Sequence, residues 1–280
     1  MADRASGARK ASKARIVLIF GMIGIISVVF TIISDLILLG RPGSGYSFFL
    51  LPTEGMAWIP GWRITLGTFL GVFMLPFQIA GLVPLYIGLR PSGKAVPALT
   101  GLIGAHGFVM GVAFHTTYAF LAGGWKLYHS AAGSGVLGTG FGTDPFAVSG
   151  SLGTGSGTDP FVGSGAGGLS AGPEGASPSA LMGDFQFYWK LIIVIMVIEL
   201  ILFSSLYIIT VLKGRTLFPK WMAALNPAAI MTAVILILLA LPAPVGGYAA
   251  PTMLNLSNLA FFIISTVVIR SKLKHDTADE

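Results

Sequence analysis

Residues 16–39 read IVLIFGMIGIISVVFTIISDLILL, a run in which Asp35 is the single charged side chain. At about 1.5 Å per residue a helix of this length covers about 36 Å, enough to cross a hydrocarbon core of roughly 30 Å. Arg9, Lys10, Lys13 and Arg15 stand just before the run, and Gly40 to Gly43 (GRPG) break it. The run outlasts the apolar core of a cleaved signal peptide and no A-x-A site follows it, so it reads as a retained anchor. No lipidation motif is visible.

The rest of the chain repeats this pattern. Only 10% of the residues are charged and 54% are hydrophobic, against about 25% charged in a soluble domain. Mean hydropathy is +0.82. These values exclude a soluble globular enzyme, a nucleic-acid-binding module and a disordered chain. Further spans are expected at 64–89, 96–121, 187–212, 227–241 and 252–269, giving six with the first, the fifth being short. None shows the alternation of a barrel strand, so the expected fold class is all-α, a polytopic bundle of six transmembrane helices. The absence of Cys leaves no disulfide framework, thiolate metal site or Cys nucleophile.

Orientation follows from the basic residues. Thirteen of the 17 fall in the N-terminal tail, the loops after the second and fourth spans and the C-terminal end. Only Arg41, Arg63, Lys126 and Lys190 fall on the other side of a six-span chain. By the positive-inside rule residues 1–15 and 270–280 are cytoplasmic tails of a protein expected in the cell (inner) membrane.

Residues 130–183 form an outer loop with 16 Gly and no Lys or Arg. It carries an internal repeat, GTGFGTDPFAVSG at 138–150 and GTGSGTDPFVGSG at 153–165, identical at 10 of 13 positions. Such a composition reads as a flexible linker. Its alternative use is contact with a second copy or another partner. The shorter outer loop holds Tyr46, Phe48, Phe49, Trp58 and Trp62, residues suited to the headgroup belt.

The stretch KGRTLFPKWMAALNP at 213–227, followed by an apolar run and LPAPVGGYAAPTMLNLSN at 241–258, carries a resemblance. It resembles a family of bacterial six-span membrane proteins known only as a domain of unknown function. That resemblance implies architecture and membrane localisation over most of the spans, with the repeat loop as an insertion. It implies no activity. Physically, Gly214 is suited to end the fourth helix, and Asn226 before Pro227 makes a good N-cap for the fifth.

Ionisable groups within spans are expensive unless paired or hydrated, and so are the first candidates for a site. Depth arithmetic gives two layers. Asp35, Arg63, His115, Tyr118, Asn255 and Asn258 share an outer polar layer. His106 and Glu199 share the midplane, with Gln78 near that level. A carboxylate and an imidazole at equal depth can pair and pass a proton. His106 and His115 lie on opposite sides of their helix, so no shared metal site is expected. Gly101, Gly104, Gly107 and Gly111 are spaced for close helix packing rather than for a phosphate. No cofactor is implied.

The expected function is an outward-opening polar intramembrane pocket that binds a small molecule or lipid, with transport as its use. Pro76, Pro84 and Pro251 permit helix breaks of the kind transporters use, although the two halves show no repeat. One alternative is an intramembrane enzyme acting on a lipid or isoprenoid through Asp35 or Glu199. Another is a structural or assembly subunit that meets neighbours through the Gly-rich loop. Membrane lipid is a partner in each case, and nucleic acid in none.

The topology has a direct test. A single Cys introduced near position 217 should stay unlabelled by an impermeant thiol reagent in intact cells, and react once the cells are opened. Labelling in intact cells would refute cytoplasmic placement of the 213–226 loop.

Overall fold

The computed structural model describes residues 2–44, 46, 54–133 and 178–278. Helices make up the architecture, and no strand occurs among the described residues. They are α1 (Ala2–Leu38), α2 (Gly61–Met74), α3 (Leu82–Leu89), α4 (Ala95–Gly133), α5 (Pro178–Leu212), α6 (Pro227–Ala240), α7 (Val245–Ala249) and α8 (Met253–Ala278). Short 3₁₀ turns link several of them, the longest being Leu75–Gly81 between α2 and α3.

Five stretches are long and apolar enough to cross a membrane: Lys10–Leu38, Gly61–Ser92, Ala95–Ser130, Met182–Leu212 and Val245–His275. The expected fifth span is a shorter apolar helix, α6, of 14 residues, about 21 Å long. Several expected boundaries move outward. The basic N-terminal tail belongs to α1 rather than preceding it, and α8 continues to Ala278 through the expected C-terminal tail. The outer loop is shorter than 130–183, because α4 runs on to Gly133 and α5 begins at Pro178. Trp125, Tyr128 and His129 pack ring against ring along that last part of α4. The repeat itself, and Phe48 and Phe49, lie outside the described residues.

α1 and α8 run antiparallel along the middle of the bundle. Small residues let them and the neighbouring 3₁₀ turn approach closely. A Cβ on Gly21 would sit 2.3 Å from Thr266 Oγ1, and one on Gly24 would sit 2.5 Å from the Cα of Gly81. Gly81 in turn lies under the Phe262 ring. α1 and the 3₁₀ turn therefore touch at backbone distance, and Thr266 and Phe262 of α8 fill the places of the missing Cβ atoms, so that close dispersion contacts join the three segments.

The second span is discontinuous. Pro76 cannot donate to the helical ladder, and Leu75–Gly81 is wound as 3₁₀ turns between α2 and α3. The Ser27 hydroxyl of α1 donates to the Met74 carbonyl at this break. One backbone acceptor loosened by the change of winding is thus satisfied from the neighbouring helix.

The 213–226 loop explains why α6 is short. Gly214 ends α5 with φ +74°, the left-handed conformation that favours glycine. The chain then turns back into the bundle. Leu217 N–H donates to the Gly88 carbonyl at 2.8 Å, Phe218 and Met222 are buried, and Phe218 packs on Tyr207. Asn226 Oδ1 accepts from Ala229 N–H at 3.1 Å, with Pro227 in the first turn. Ala228 N–H donates to the Ser204 hydroxyl of α5 at 3.0 Å. Ser204 lies about 12 Å before the end of α5 at Leu212, so α6 starts well inside the bundle. It runs outward to the turn where Gly247 N–H meets the Gly43 carbonyl at 2.8 Å. Inward loop and helix together cover about 33 Å.

The Gly24–Gly81 contact should not tolerate a methyl group, since both partners are backbone. Gly24→Ala is expected to lose about 1–3 kcal/mol, the usual range for overpacking. In detergent it should melt several degrees below wild type, while Gly101→Ala, where an added Cβ meets nothing within 4 Å, should melt with wild type.

Candidate functional site

Two polar centres lie inside the bundle, and they differ in kind. The first is built on Asp35, near the outer end of α1 and only 3% exposed. A carboxylate sealed from water needs donors on both oxygens. Asn255 of α8 donates through Nδ2 to Asp35 Oδ2 at 2.7 Å. His115 of α4 places Nε2 3.3 Å from Asp35 Oδ1. Gln78, in the 3₁₀ break, donates to Asn255 Oδ1 at 3.1 Å and to Thr31 Oγ1 at 2.9 Å. The Thr31 hydroxyl donates to the Ser27 carbonyl at 3.0 Å. The chain Asp35–Asn255–Gln78–Thr31 thus ties α1, α8 and the break in the second span together, and His115 adds α4. His115 Nδ1 and Gln78 Oε1 are buried without a hydrogen-bond partner among the described residues.

The expected outer layer is therefore divided. Asp35, His115 and Asn255 meet. Arg63 does not join them: it donates to the carbonyls of Leu36, Ile37 and Gly40 and so closes the C-terminal end of α1. Tyr118 is buried in an aromatic group with Phe114 and Trp189. Asn258 lies by the second centre. Gln78, placed by depth near the midplane pair, belongs to the Asp35 network. Asp35 itself is packed shut rather than open to a pocket of the expected kind, with 3% of its surface exposed among the described residues.

The second centre lies deeper. His106 is about 16 Å along α4 from Ala95. Its Nδ1 meets Glu199 Oε1 of α5. The pair is asymmetric: the His106 side chain is 57% exposed on the outside of the bundle, whereas that of Glu199 is 14% exposed. The other carboxylate oxygen, Oε2, is buried and unpartnered among the described residues. It points past Gly107, whose missing Cβ would lie 3.5 Å from it.

Beside this oxygen is a cavity of about 80 Å³. Leu82, Gly107, Glu199, Pro227 and Asn258 line it, so five helices contribute. Every other lining side chain is apolar. Gly104 and Gly107 keep α4 low against this space, and the early start of α6 brings Pro227 to its wall. Asn258 makes no side-chain hydrogen bond among the described residues. The cavity thus offers one acceptor, Glu199 Oε2, and one amide, Asn258, within an apolar lining. No cluster of metal-ligating side chains occurs among the described residues.

An apolar all-helical bundle with a midplane carboxylate defines the class as a helical protein able to cross a membrane. The chain belongs to the Family of unknown function (DUF6796), whose model matches residues 9–147 and 170–272. The match skips 148–169, which contains the whole second copy of the repeat at 153–165, while the first copy falls largely within it. The departure from the family is thus narrower than the whole outer loop. No curated protein and no solved structure matches the chain.

The Asp35 network makes a stability prediction. Asn255→Leu removes the donor to Asp35 and the acceptor from Gln78, and should lose about 1–3 kcal/mol, more if the carboxylate stays charged. Asn258→Leu, three residues on and outside the network, should melt close to wild type. Equal melting temperatures for the two variants in detergent would show that the network does not hold the bundle.

Proposed function

We infer that this chain is an integral protein of the cell (inner) membrane, crossing six times with both ends in the cytoplasm, and that its midplane cavity binds a lipid-like alcohol. The six-crossing reading is supported by the 213–226 loop, which lets a 14-residue helix finish a crossing begun by the loop. The split of basic residues supports the orientation.

The observation that carries the ligand reading is the unpartnered Glu199 Oε2 beside an otherwise apolar cavity. A buried polar atom with no partner is costly by about 1–3 kcal/mol, so it favours any guest that completes it. A hydroxyl suits both free groups, donating to Glu199 Oε2 and accepting from the Asn258 amide. A hydrocarbon body suits the rest of the wall. His106, paired with the opposite oxygen, holds the carboxylate in place.

Transport is the use we assign to this site. The 3₁₀ break at Leu75–Gly81 ends at Leu82, itself a wall of the cavity. Mid-helix 3₁₀ tracts often mark hinges, and broken helices are recurrent parts of transporters.

Binding is tested with the full chain in detergent, using dodecanol and dodecane as probes. Dodecanol should raise the melting temperature of wild type and dodecane should not. Gly107→Leu, which fills the cavity and leaves Glu199 and His106 in place, should remove the dodecanol effect. An equal dodecanol shift in wild type and variant would overturn the site.

A further inference from the structure

We propose that the cytoplasmic ends of α1 and α8 form a binding site for an anionic phosphate group, in the chemistry of an acidic phospholipid head. A cavity of about 290 Å³ lies between the two helices there, several times the roughly 30 Å³ share of one water. Ala11, Ala14, Arg15 and Leu18 line it from α1, and Arg270, Leu273 and Lys274 from α8. The spacings of three and four residues put each set on one helix face.

Three observations distinguish this place from the ordinary basic flank of a span. It is a concave space, made by two alanines where longer side chains would close the helices together. Its floor is apolar, with Ala14 and Leu273 buried. And the guanidinium groups of Arg15 and Arg270 have neither a hydrogen bond within the cavity nor an ion pair among the described residues. Among the described residues no carboxylate lines the cavity. The two planar forks of Arg15 and Arg270, facing one space, match the oxygens of a phosphate.

Position selects among phosphates. Arg15 directly precedes Ile16, and Arg270 directly follows Ile269 at the end of the α8 apolar run. The cations therefore stand at the edge of the lipid-facing surface, where exposed Ile16 and Ile19 begin. A head group held here would leave its acyl chains on those side chains, in the negative field of the inner leaflet. This site rests on the membrane orientation inferred above but is separate from the Glu199 cavity, and the two ligand readings stand or fall independently.

The test uses the full chain in nanodiscs of phosphatidylcholine alone or of phosphatidylcholine with phosphatidylglycerol, read by melting temperature. Phosphatidylglycerol should stabilise wild type. The double variant Arg15→Gln, Arg270→Gln should lose that shift while melting like wild type in phosphatidylcholine. Ala11→Leu keeps every charge and fills the cavity, so it should lose the shift as well, and it decides the matter alone if the double variant does not fold. Inorganic phosphate added to phosphatidylcholine nanodiscs separates the two sources: no shift assigns the site to lipid, and a shift equal to that of phosphatidylglycerol assigns it to soluble phosphate. The proposal is overturned if wild type shows no shift with either probe. It is overturned equally if Ala11→Leu keeps the full shift, because charge without a cavity would then be sufficient.

Discussion

A carboxylate enclosed in an apolar bundle must be met by donors, and the placement of four segments follows from meeting Asp35. Its two oxygens take Asn255 from α8 and His115 from α4. Asn255 can keep its amide turned to Asp35 because Gln78 donates to its oxygen. Gln78 can reach it because the second span is wound as 3₁₀ turns at that level. The break and the network are one device. Between helices that are apolar on every side, where lipid supplies no hydrophobic drive, such directional bonds and the glycine contacts beneath them give the packing its register.

That device also divides the interior into two regions of different character. Around Asp35 the polar groups are closely packed and bonded to one another, with His115 Nδ1 and Gln78 Oε1 left over but no space beside the 3% exposed carboxylate. Around Glu199 they are few, one carboxylate oxygen and one amide stand without partners, and there is room beside them. The first arrangement suits a fixed structural centre. The second suits a guest, because the missing partners are those a bound molecule would bring.

Sequence reading recovered depth well and rotation poorly, for a physical reason. Apolar runs and hydrogen-bonding residues at helix ends are local, so five long apolar helices, Gly214 and the Asn226–Pro227 start were legible. The 1.5 Å rise put His106 and Glu199 at one level, and they meet. What a helix apolar on all sides does not encode is which neighbour each face meets. Asn255 and Asn258 are three residues apart and turn to different centres. Gln78 was placed by depth beside the midplane pair but turns to Thr31 and Asn255, because the tighter 3₁₀ winding rotates it about the axis. Arg63 had the right depth to pair with Asp35 but reaches backbone carbonyls, which a charge count does not register. The inward course of residues 213–226 was hidden as well, since Lys, Arg and Trp in that stretch read equally well as a surface loop.

The inward loop has a consequence for how the protein is made. A 14-residue apolar helix is too short to enter a bilayer as an independent unit, since about 20 residues are needed for a stable crossing. α6 starts from a depth it reaches only by resting on Ser204 of α5 and by seating Phe218 against Gly88 and Ile269. Two of those supports are synthesised before α6, and the third, on α8, comes after it. The seat of α6 is therefore complete only once α8 is in place, so the two helices close the bundle together although one is made before the other.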